Sequence, residues 1–460
     1  MPSTPLDSQL FRDMFGTPAM RAVFSDEALL NRYAEAEAAL ARAEAKVGVI
    51  PAEAAEAISA AVGRGLRFDM ERMKRETENV GYPILPLVHQ LADAAGEAGR
   101  YVHWGATTQD IMDTATVLQL RAALGLVAED IEALRGILAG LAAKYRDTPM
   151  AGRTHLQQAL PITFGYKAAV WLSMMDRHAE RLEQLRPRVL VGQFAGAAGT
   201  LASLGDKGLE VQEAFCEELG LAQPPVTWHV ARDGFAEAVG LLGLVTGSLA
   251  KVATDVMLMM ATEFGGEAQE PFVKGRGGSS TMPQKRNPIS SELIIATAKA
   301  VRQQAGLMLD AMVQDFERAT GPWHLEWMAV PEGFILASAC LHHAKFMLGG
   351  LVVDADRMRA NLGLTGGLIV AEAVMMAAAP KLGRGRAHDV VYDACRAAIA
   401  SGRGLADALA EVPEVVEALG GREGVERRCD PANYLGLAPR MVDRVLAGWP
   451  PLAQAPGART

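Results

Sequence analysis

An all-α fold is predicted for this 460-residue chain, on three observations. Apolar residues recur at alternating spacings of three and four over unusually long stretches, which is the signature of helices burying a continuous seam. Ala, Leu, Glu and Arg dominate while aromatics make up only 6%, a balance that favours helix. No strand-rich region, repeat or low-complexity block interrupts the pattern.

Residues 1–105 read as several short helices forming an N-terminal part. Ala34 to Lys46 is an amphipathic example, stopped near Gly48 and Pro51. The two prolines between Tyr82 and Pro86 break any helix there. Residues 106–355 read as a central bundle. Its first helix carries Val117, Leu120, Leu124, Val127, Ile131, Leu134, Leu138 and Leu141, an unbroken heptad seam that ends near Asp147 and Pro149. A second helix is expected from Pro161, a good first-turn residue, to just before Pro187. A third runs from Arg232 to Phe264, with Phe235, Val239, Leu242, Val245, Leu249, Val252, Val256 and Met259 on one face. A fourth begins near Pro288 and reaches Glu317, and a fifth covers Pro331 to Leu351. A helix of about 30 residues is about 45 Å long, so its seam must be buried against similar helices. Leu241, Leu244, Met257 and Met260 fall off the third seam, and this spare apolar surface points to a homo-oligomer. From 356 to 460, Gly363, Gly366, Gly367 and the run GRGRAH at 383–388 break the chain into a small C-terminal helical part, with a loose tail from Pro450.

The net charge of −9 leaves no basic footprint for nucleic acid. The apolar stretch 239–261 holds Lys251 and Asp255, which argues against a membrane span. The four cysteines, Cys216, Cys340, Cys395 and Cys429, show no zinc or redox spacing, and no metal or cofactor is expected. With no basic and apolar leader at the N-terminus, the expected location is the cytoplasm.

Three polar islands interrupt the helices, each at a helix end. HWGATTQD, His103 to Asp110, offers Thr107, Thr108 and Asp110, either as substrate contacts or as helix caps. GRTHLQQ, Gly152 to Gln158, gathers Arg153, Thr154, His155, Gln157 and Gln158. GGSSTMPQKRNP, residues 277 to 288, is the most telling. Its glycines let the backbone approach a ligand. Successive N–H groups at Ser279, Ser280 and Thr281 can form an anion-binding concavity. Lys285 adds a charge and Asn287 an amide. Pro288 opens a helix whose N-terminus favours a negative group. The loop is expected to hold a carboxylate, and Ser279 to move a proton.

The stretch GSSTMPQKRNP resembles the signature loop of the fumarase/aspartase superfamily, and GRTHLQ and ATTQD resemble its two other shared regions. The resemblance covers most of the chain. It implies a three-domain fold whose long helices form a twenty-helix core in a homotetramer, with active sites built from three subunits. It further implies that Ser279 takes the proton beside a carboxylate, with His155 as a candidate acid. Lys285 and Asn287 match the residues that grip that carboxylate. Thr107, Thr108, Arg153, Thr154, Gln157, Ser280, Thr281 and Met282 complete the substrate contacts. The substrate implied is a small polycarboxylate, and the reaction a β-elimination or its reverse through an aci-carboxylate. WHVARD at 228–233, ERATGPWHLEW at 317–327 and DPANYLG at 430–436 are similar to the 3-carboxy-cis,cis-muconate cycloisomerase branch, with Arg232 as an extra carboxylate ligand or a helix-start ion pair. His155 is shared with the fumarate-releasing lyases, which keeps a C–N lyase or an epimerase of a substituted succinate as the alternative. Tyr82, Pro83 and Gln158 stand where adenylosuccinate lyases carry catalytic residues, so adenylosuccinate itself is disfavoured. The full set Thr154, His155, Ser279, Lys285 and Asn287 argues against a catalytically silent relative.

Overall fold

The computed structural model describes residues 4–318 and 320–448; the tail from Pro450 lies outside the described residues. Helix dominates, as the periodicity demands. The long helices are α1 (Asp26–Val47), α2 (Thr108–Lys144), α3 (Phe164–Val189), α4 (Asp233–Met260), α5 (Ile289–Ala311) and α6 (Gly321–Gly349). Every residue of the heptad seam on α2 from Val117 to Leu138 is buried, and so is every seam residue of α4. The burial of these two rows is the main reason such long helices hold. On α4, Leu241 is buried but Leu244 stays 55% exposed.

Helix α3 runs through Pro187 instead of stopping before it, and α5 ends at Ala311 rather than Glu317; two further boundaries differ from expectation for identifiable reasons. Pro161 belongs to a β-hairpin, not to a helix start. Strand β1 (Pro149–Thr154) pairs antiparallel with β2 (Gln157–Thr163), with Ala151 opposite Pro161. The hairpin consumes the residues that looked like a loop, and α3 begins only at Phe164. Helix α6 starts ten residues before Pro331 and contains it; the apolar residues Trp323 and Val330, both buried, outweigh the one backbone hydrogen bond a proline forgoes. A second ribbon pairs β3 (Ala268–Gln269) with β4 (Val352–Val353).

The chain divides into two compact units. One comprises residues 1–131, 178–250 and 293–343; the other comprises 132–177, 251–292 and 344–460. The boundaries between them fall inside α2, α3, α4, α5 and α6. The expected boundaries near 105 and 355 lie just before α2 and just after α6. In the first unit α1 packs against the helices Ala52–Gly63 and Gly208–Leu219. In the second, short helices from Ala371 to Cys429 close on a core of Val374, Leu405, Leu409, Val415 and Val425. Helices α2 and α4 are long and apolar enough to cross a membrane by length and composition, yet 67% and 44% of their most apolar windows are buried inside the protein. The i, i+4 pair of Lys251 and Asp255 on α4 reinforces the reading of a core helix.

One buried group on α1 gives a test of this packing. Glu44 is fully buried and neither carboxyl oxygen has a hydrogen-bond partner among the described residues. Burial, and then the negative Glu37, push its pKa up to about 9. The folded chain thus keeps a proton that the unfolded chain releases above its ordinary value of 4.5, so stability falls as pH rises through this window. Glu44→Gln is predicted to match the wild type near pH 5 and to gain on it by up to about 1.4 kcal/mol per pH unit toward pH 9. Denaturant unfolding at several pH values checks this; a difference that does not change with pH contradicts it.

Candidate active site

Each polar island is held by a buried carboxylate. In the first, Asp110 sits in the opening turn of α2 with no solvent exposure. Its Oδ2 accepts the N–H groups of Thr107 (2.9 Å) and Gly196 (2.9 Å). Its Oδ1 accepts the N–H of Ala195 (3.0 Å) and pairs with Nε2 of His229 (2.7 Å). A carboxylate beside four donors at a helix N-terminus is a cap and a clamp, which leaves Asp110 no capacity for substrate. The Thr107 hydroxyl accepts from Arg318 Nη1 at 2.8 Å, while the half-buried Thr108 hydroxyl has no partner among the described residues. His103 opens the island in a left-handed conformation, φ 62°, and its Nδ1 lies 2.6 Å from the buried Glu37. Burial works against its charge, but the adjacent Glu37 carboxylate outweighs it and raises the imidazole pKa.

The second island is the tip of the β1–β2 hairpin. Its two turn residues, His155 (φ 51°) and Leu156 (φ 62°), both adopt the left-handed conformation of a type I′ turn without being glycine or asparagine. Such strain persists only where the surroundings enforce it, and it collects at functional sites. Thr154, His155 and Gln157 are exposed there. The residues beneath are anchors. Arg153, expected among the substrate contacts, is committed elsewhere: its guanidinium holds both oxygens of the buried Glu267 (2.9 and 2.7 Å) and lies over the Phe264 ring. Asn361 Nδ2 donates to the same carboxylate, and the backbone oxygen of Asn361 accepts from Gln158. Gly152 marks an irregularity in the register, and a Cβ there would lie 2.7 Å from the Leu160 carbonyl oxygen.

The third island is a closed loop. The Asn287 N–H donates to the Gly277 carbonyl at 2.8 Å, and Gly278 bridges Arg286. Gly277 has φ 67°, and a Cβ on it would lie 2.5 Å from the Asn287 carbonyl oxygen, so the loop closes only with glycine there. Residues 280–286 are exposed. The N–H groups of Met282 (3.0 Å) and Thr281 (3.3 Å) donate to Ser279 Oγ. The loop amides expected to cradle an external anion therefore converge here on the serine itself, and two such dipoles favour a developing negative charge on that oxygen. The Lys285 ammonium and the Asn287 side-chain amide have no partners among the described residues, leaving both free for a ligand.

The helix start behind the loop departs from expectation. The N-terminus of α5 is already occupied: Glu270, 4% exposed, accepts the N–H groups of Ser290 (3.0 Å) and Ser291 (2.7 Å) and the Ser291 hydroxyl (2.8 Å). Arg286 fastens the loop to the same segment, donating to Gln269 Oε1 and the Glu270 carbonyl and lying over Phe272. Arg276 donates to Ser290 Oγ.

Arg232, expected as an extra carboxylate ligand or a helix-start ion pair, is the latter. It is 2% exposed, makes a bidentate pair with Asp113 (2.7 and 2.9 Å) and also holds both oxygens of Glu326. Its faces pack on Trp228 and Phe235. Burial opposes its charge, but the two carboxylates hold its pKa above the ordinary arginine value. Of the two roles read for Asp110, substrate contact or helix cap, the structure shows the cap; Glu267, Glu270 and Glu326 carry no local motif that would have marked them.

The sequence profile of the family described as Lyase matches residues 14–302, and that of the adenylosuccinate lyase C-terminus matches 367–445. The chain belongs to this lyase family. It is an enzyme of the fumarase/aspartase superfamily, with the all-α fold of that group. Among its relatives, the 3-carboxy-cis,cis-muconate cycloisomerase of Pseudomonas aeruginosa is 48% identical over 96% of each chain. Trans-aconitate decarboxylase 1 of Mycosarcoma maydis is 49% identical over 95% of this chain and 88% of its own. The crystal structure of a fumarate lyase from Mesorhizobium sp. BNC1 superposes with a TM-score of 0.89 at 58% identity, covering 94% of this chain and 98% of its own. Thr154, His155 and Lys285 are exposed and Ser279 and Asn287 half-buried, while Arg153, Arg232 and Asp110 are taken up by framework pairs.

Removing Arg232 strands two buried carboxylates. Arg232→Met is predicted to cost about 3–5 kcal/mol of stability, measured by denaturant unfolding. A loss of less than about 1 kcal/mol contradicts a framework role.

Proposed function

We propose that the enzyme interconverts 3-carboxy-cis,cis-muconate and a γ-carboxymuconolactone. The observation that carries the substrate is the end-to-end similarity to the Pseudomonas aeruginosa cycloisomerase; the chemistry is supported by the Ser279 loop. In the lactone-forming direction a carboxylate oxygen of the substrate attacks the double-bond carbon β to another carboxyl group. The electron pair moves into that carboxyl group as an aci-carboxylate dianion, and the Ser279 hydroxyl then delivers its proton to the α carbon. In reverse, Ser279 Oγ removes the α proton and the C–O bond of the lactone breaks. Two amide N–H groups already converge on Oγ, which supports its service as the base. Lys285, Asn287 and the backbone of Ser280, Thr281 and Met282 grip the carboxylate that takes up the second charge. Each fixed donor of this kind is worth about 10²–10³ in rate. Thr154, His155 and Gln157 on the strained hairpin and Thr107 and Thr108 at the start of α2 contact the rest of the substrate, with His155 as the candidate proton donor.

The active form is a homotetramer in which separate subunits contribute the three islands, built on three parts of the chain, 1–105, 106–355 and 356–460. The exposed apolar side chains on the long helices support this. Leu244 is 55%, Leu309 62% and Met328 50% exposed, a load that calls for partner helices. All four cysteines are unpaired, which fits a reducing compartment, and we place the enzyme in the cytoplasm with no nucleic-acid or membrane partner.

A second reading, a lyase that releases fumarate from a substituted succinate, is favoured by the 58% identity to the Mesorhizobium fumarate lyase. Incubation with 3-carboxy-cis,cis-muconate separates the two. Loss of the diene absorbance is expected; an unchanged diene together with adducts from fumarate and a panel of amines overturns the first reading in favour of the second. In the active assay, Ser279→Ala is predicted to lower kcat by about 10²–10⁴ with the melting temperature retained. Lys285→Met is predicted to raise KM about tenfold or more, as expected for losing a hydrogen bond to a charged group. A Ser279→Ala enzyme with normal kcat removes the serine from the proton transfer, and an unchanged KM for Lys285→Met removes the lysine from carboxylate binding.

A further inference from the structure

A polar pocket of about 160 Å³ lies wholly within the second unit. Its charged wall is Lys167 of α3, Lys251 and Asp255 of α4 and Arg153 of β1, and Leu156 and Phe264 close it. Thr154, His155 and Gln157, the hairpin residues assigned to the substrate, are not in this wall. The volume is below the range of about 300–1,000 Å³ typical of sites that enclose a whole organic ligand, and it suits a small ion.

The wall holds more positive charge than its carboxylates neutralise. Glu267 takes up Arg153 through both of its oxygens. Asp255 must then serve two ammonium groups. Its Oδ2 pairs with Lys251 Nζ, accepts the Trp171 indole N–H at 3.2 Å and stands 3.8 Å from Lys167 Nζ. Lys167 is left with that one long ion pair and no hydrogen bond among the described residues, although only 23% of its side chain is exposed. An ammonium carries three donors, and leaving them unmet in a largely buried place is costly. Burial, reinforced by Lys251 and Arg153 and opposed by Asp255, holds the Lys167 pKa below the ordinary lysine value. The pocket that Lys167 lines is where an acceptor can reach it.

We propose that this pocket binds a small oxyanion, a carboxylate or a phosphate, which accepts from Lys167 Nζ with Lys251 beside it. An oxyanion supplies both the missing negative charge and the missing acceptors, and hydrogen bonds between charged groups are the strong ones. A neutral guest brings no charge, and a cation meets three positive groups. Arg153 and Leu156 flank Thr154 and His155 in the chain, so an ion held here also braces the strained turn. The site is separate from the Ser279 loop and stands whether or not the proposed reaction holds.

The test is calorimetric titration of the purified full-length protein with sodium phosphate and, in a separate arm, sodium acetate, at constant ionic strength, with n-propylammonium chloride as the cation control. Saturable binding of at least one anion is expected and none of propylammonium; the tighter arm tells phosphate from carboxylate. Lys167→Met is expected to weaken binding about tenfold or more, as for losing a hydrogen bond between charged groups. That variant leaves Asp255 paired with Lys251 and Trp171, so the fold is retained. Lys251→Met, which frees Asp255 to take up Lys167, is expected to weaken binding about threefold. Lys285→Met, in the Ser279 loop, is expected to bind as the wild type does, which separates this pocket from the carboxylate contacts of the reaction. No saturable binding of either anion, full affinity in Lys167→Met, or loss of binding in Lys285→Met overturns the proposal. Should Lys167→Met fail to fold, full affinity in Lys251→Met overturns it instead.

Discussion

The arrangement of the candidate site depends on one buried carboxylate, that of Glu270. Helix α5 follows the Ser279 loop directly, and its free N–H groups are the strongest anion site in that segment. Had they been open, the substrate carboxylate would compete for them and be drawn past the serine to the helix end. Glu270 fills that position from twenty residues earlier in the chain. Arg286 then ties the loop to the same segment. The root of the loop is therefore fixed, while residues 280–286 stay exposed. A substrate carboxylate is left with Lys285, Asn287 and the loop backbone, which are the groups next to Ser279 Oγ.

The same device recurs at each island. Asp110 clamps the start of α2 to Ala195, Gly196 and His229. Glu267 holds Arg153 under the strained hairpin. Asp113 and Glu326 hold Arg232 at the start of α4. Taking these charges out of water is costly, and a buried pair is a poor source of net stability. What such pairs supply is position: each has one geometry that satisfies all its donors, and breaking it strands a charge. Presenting polar side chains on short loops between long helices needs that kind of fixation, because the loops have little apolar contact of their own.

The long helices were legible in the sequence because a seam of alternating three and four residues has few alternatives once it runs from Val117 to Leu138. The hairpin was not legible. Its turn, His155–Leu156, lacks the Asn-Gly or Asp-Gly pair that marks a type I′ turn, and Pro161 looked like a helix start. At the site, the exposed Thr154, His155 and Lys285 and the half-buried Ser279 were visible because they sit together in short polar runs. Arg153 was visible for the same reason but was expected on substrate, and Arg232 was left between a carboxylate ligand and an ion pair. Their partners lie far off in the chain: Glu267 is 114 residues from Arg153, and Asp113 is 119 residues from Arg232. A single sequence shows that an arginine stands in a motif but does not show which carboxylate it faces.

The most direct measurement is a crystal structure of the Ser279→Ala enzyme soaked with 3-carboxy-cis,cis-muconate. One substrate carboxylate should accept from Lys285 Nζ and the backbone of the 277–288 loop, next to the vacated serine position, with Glu270 still on the Ser290 and Ser291 amides. A substrate carboxylate seated on those two amides in place of Glu270, with the loop turned away, contradicts the account.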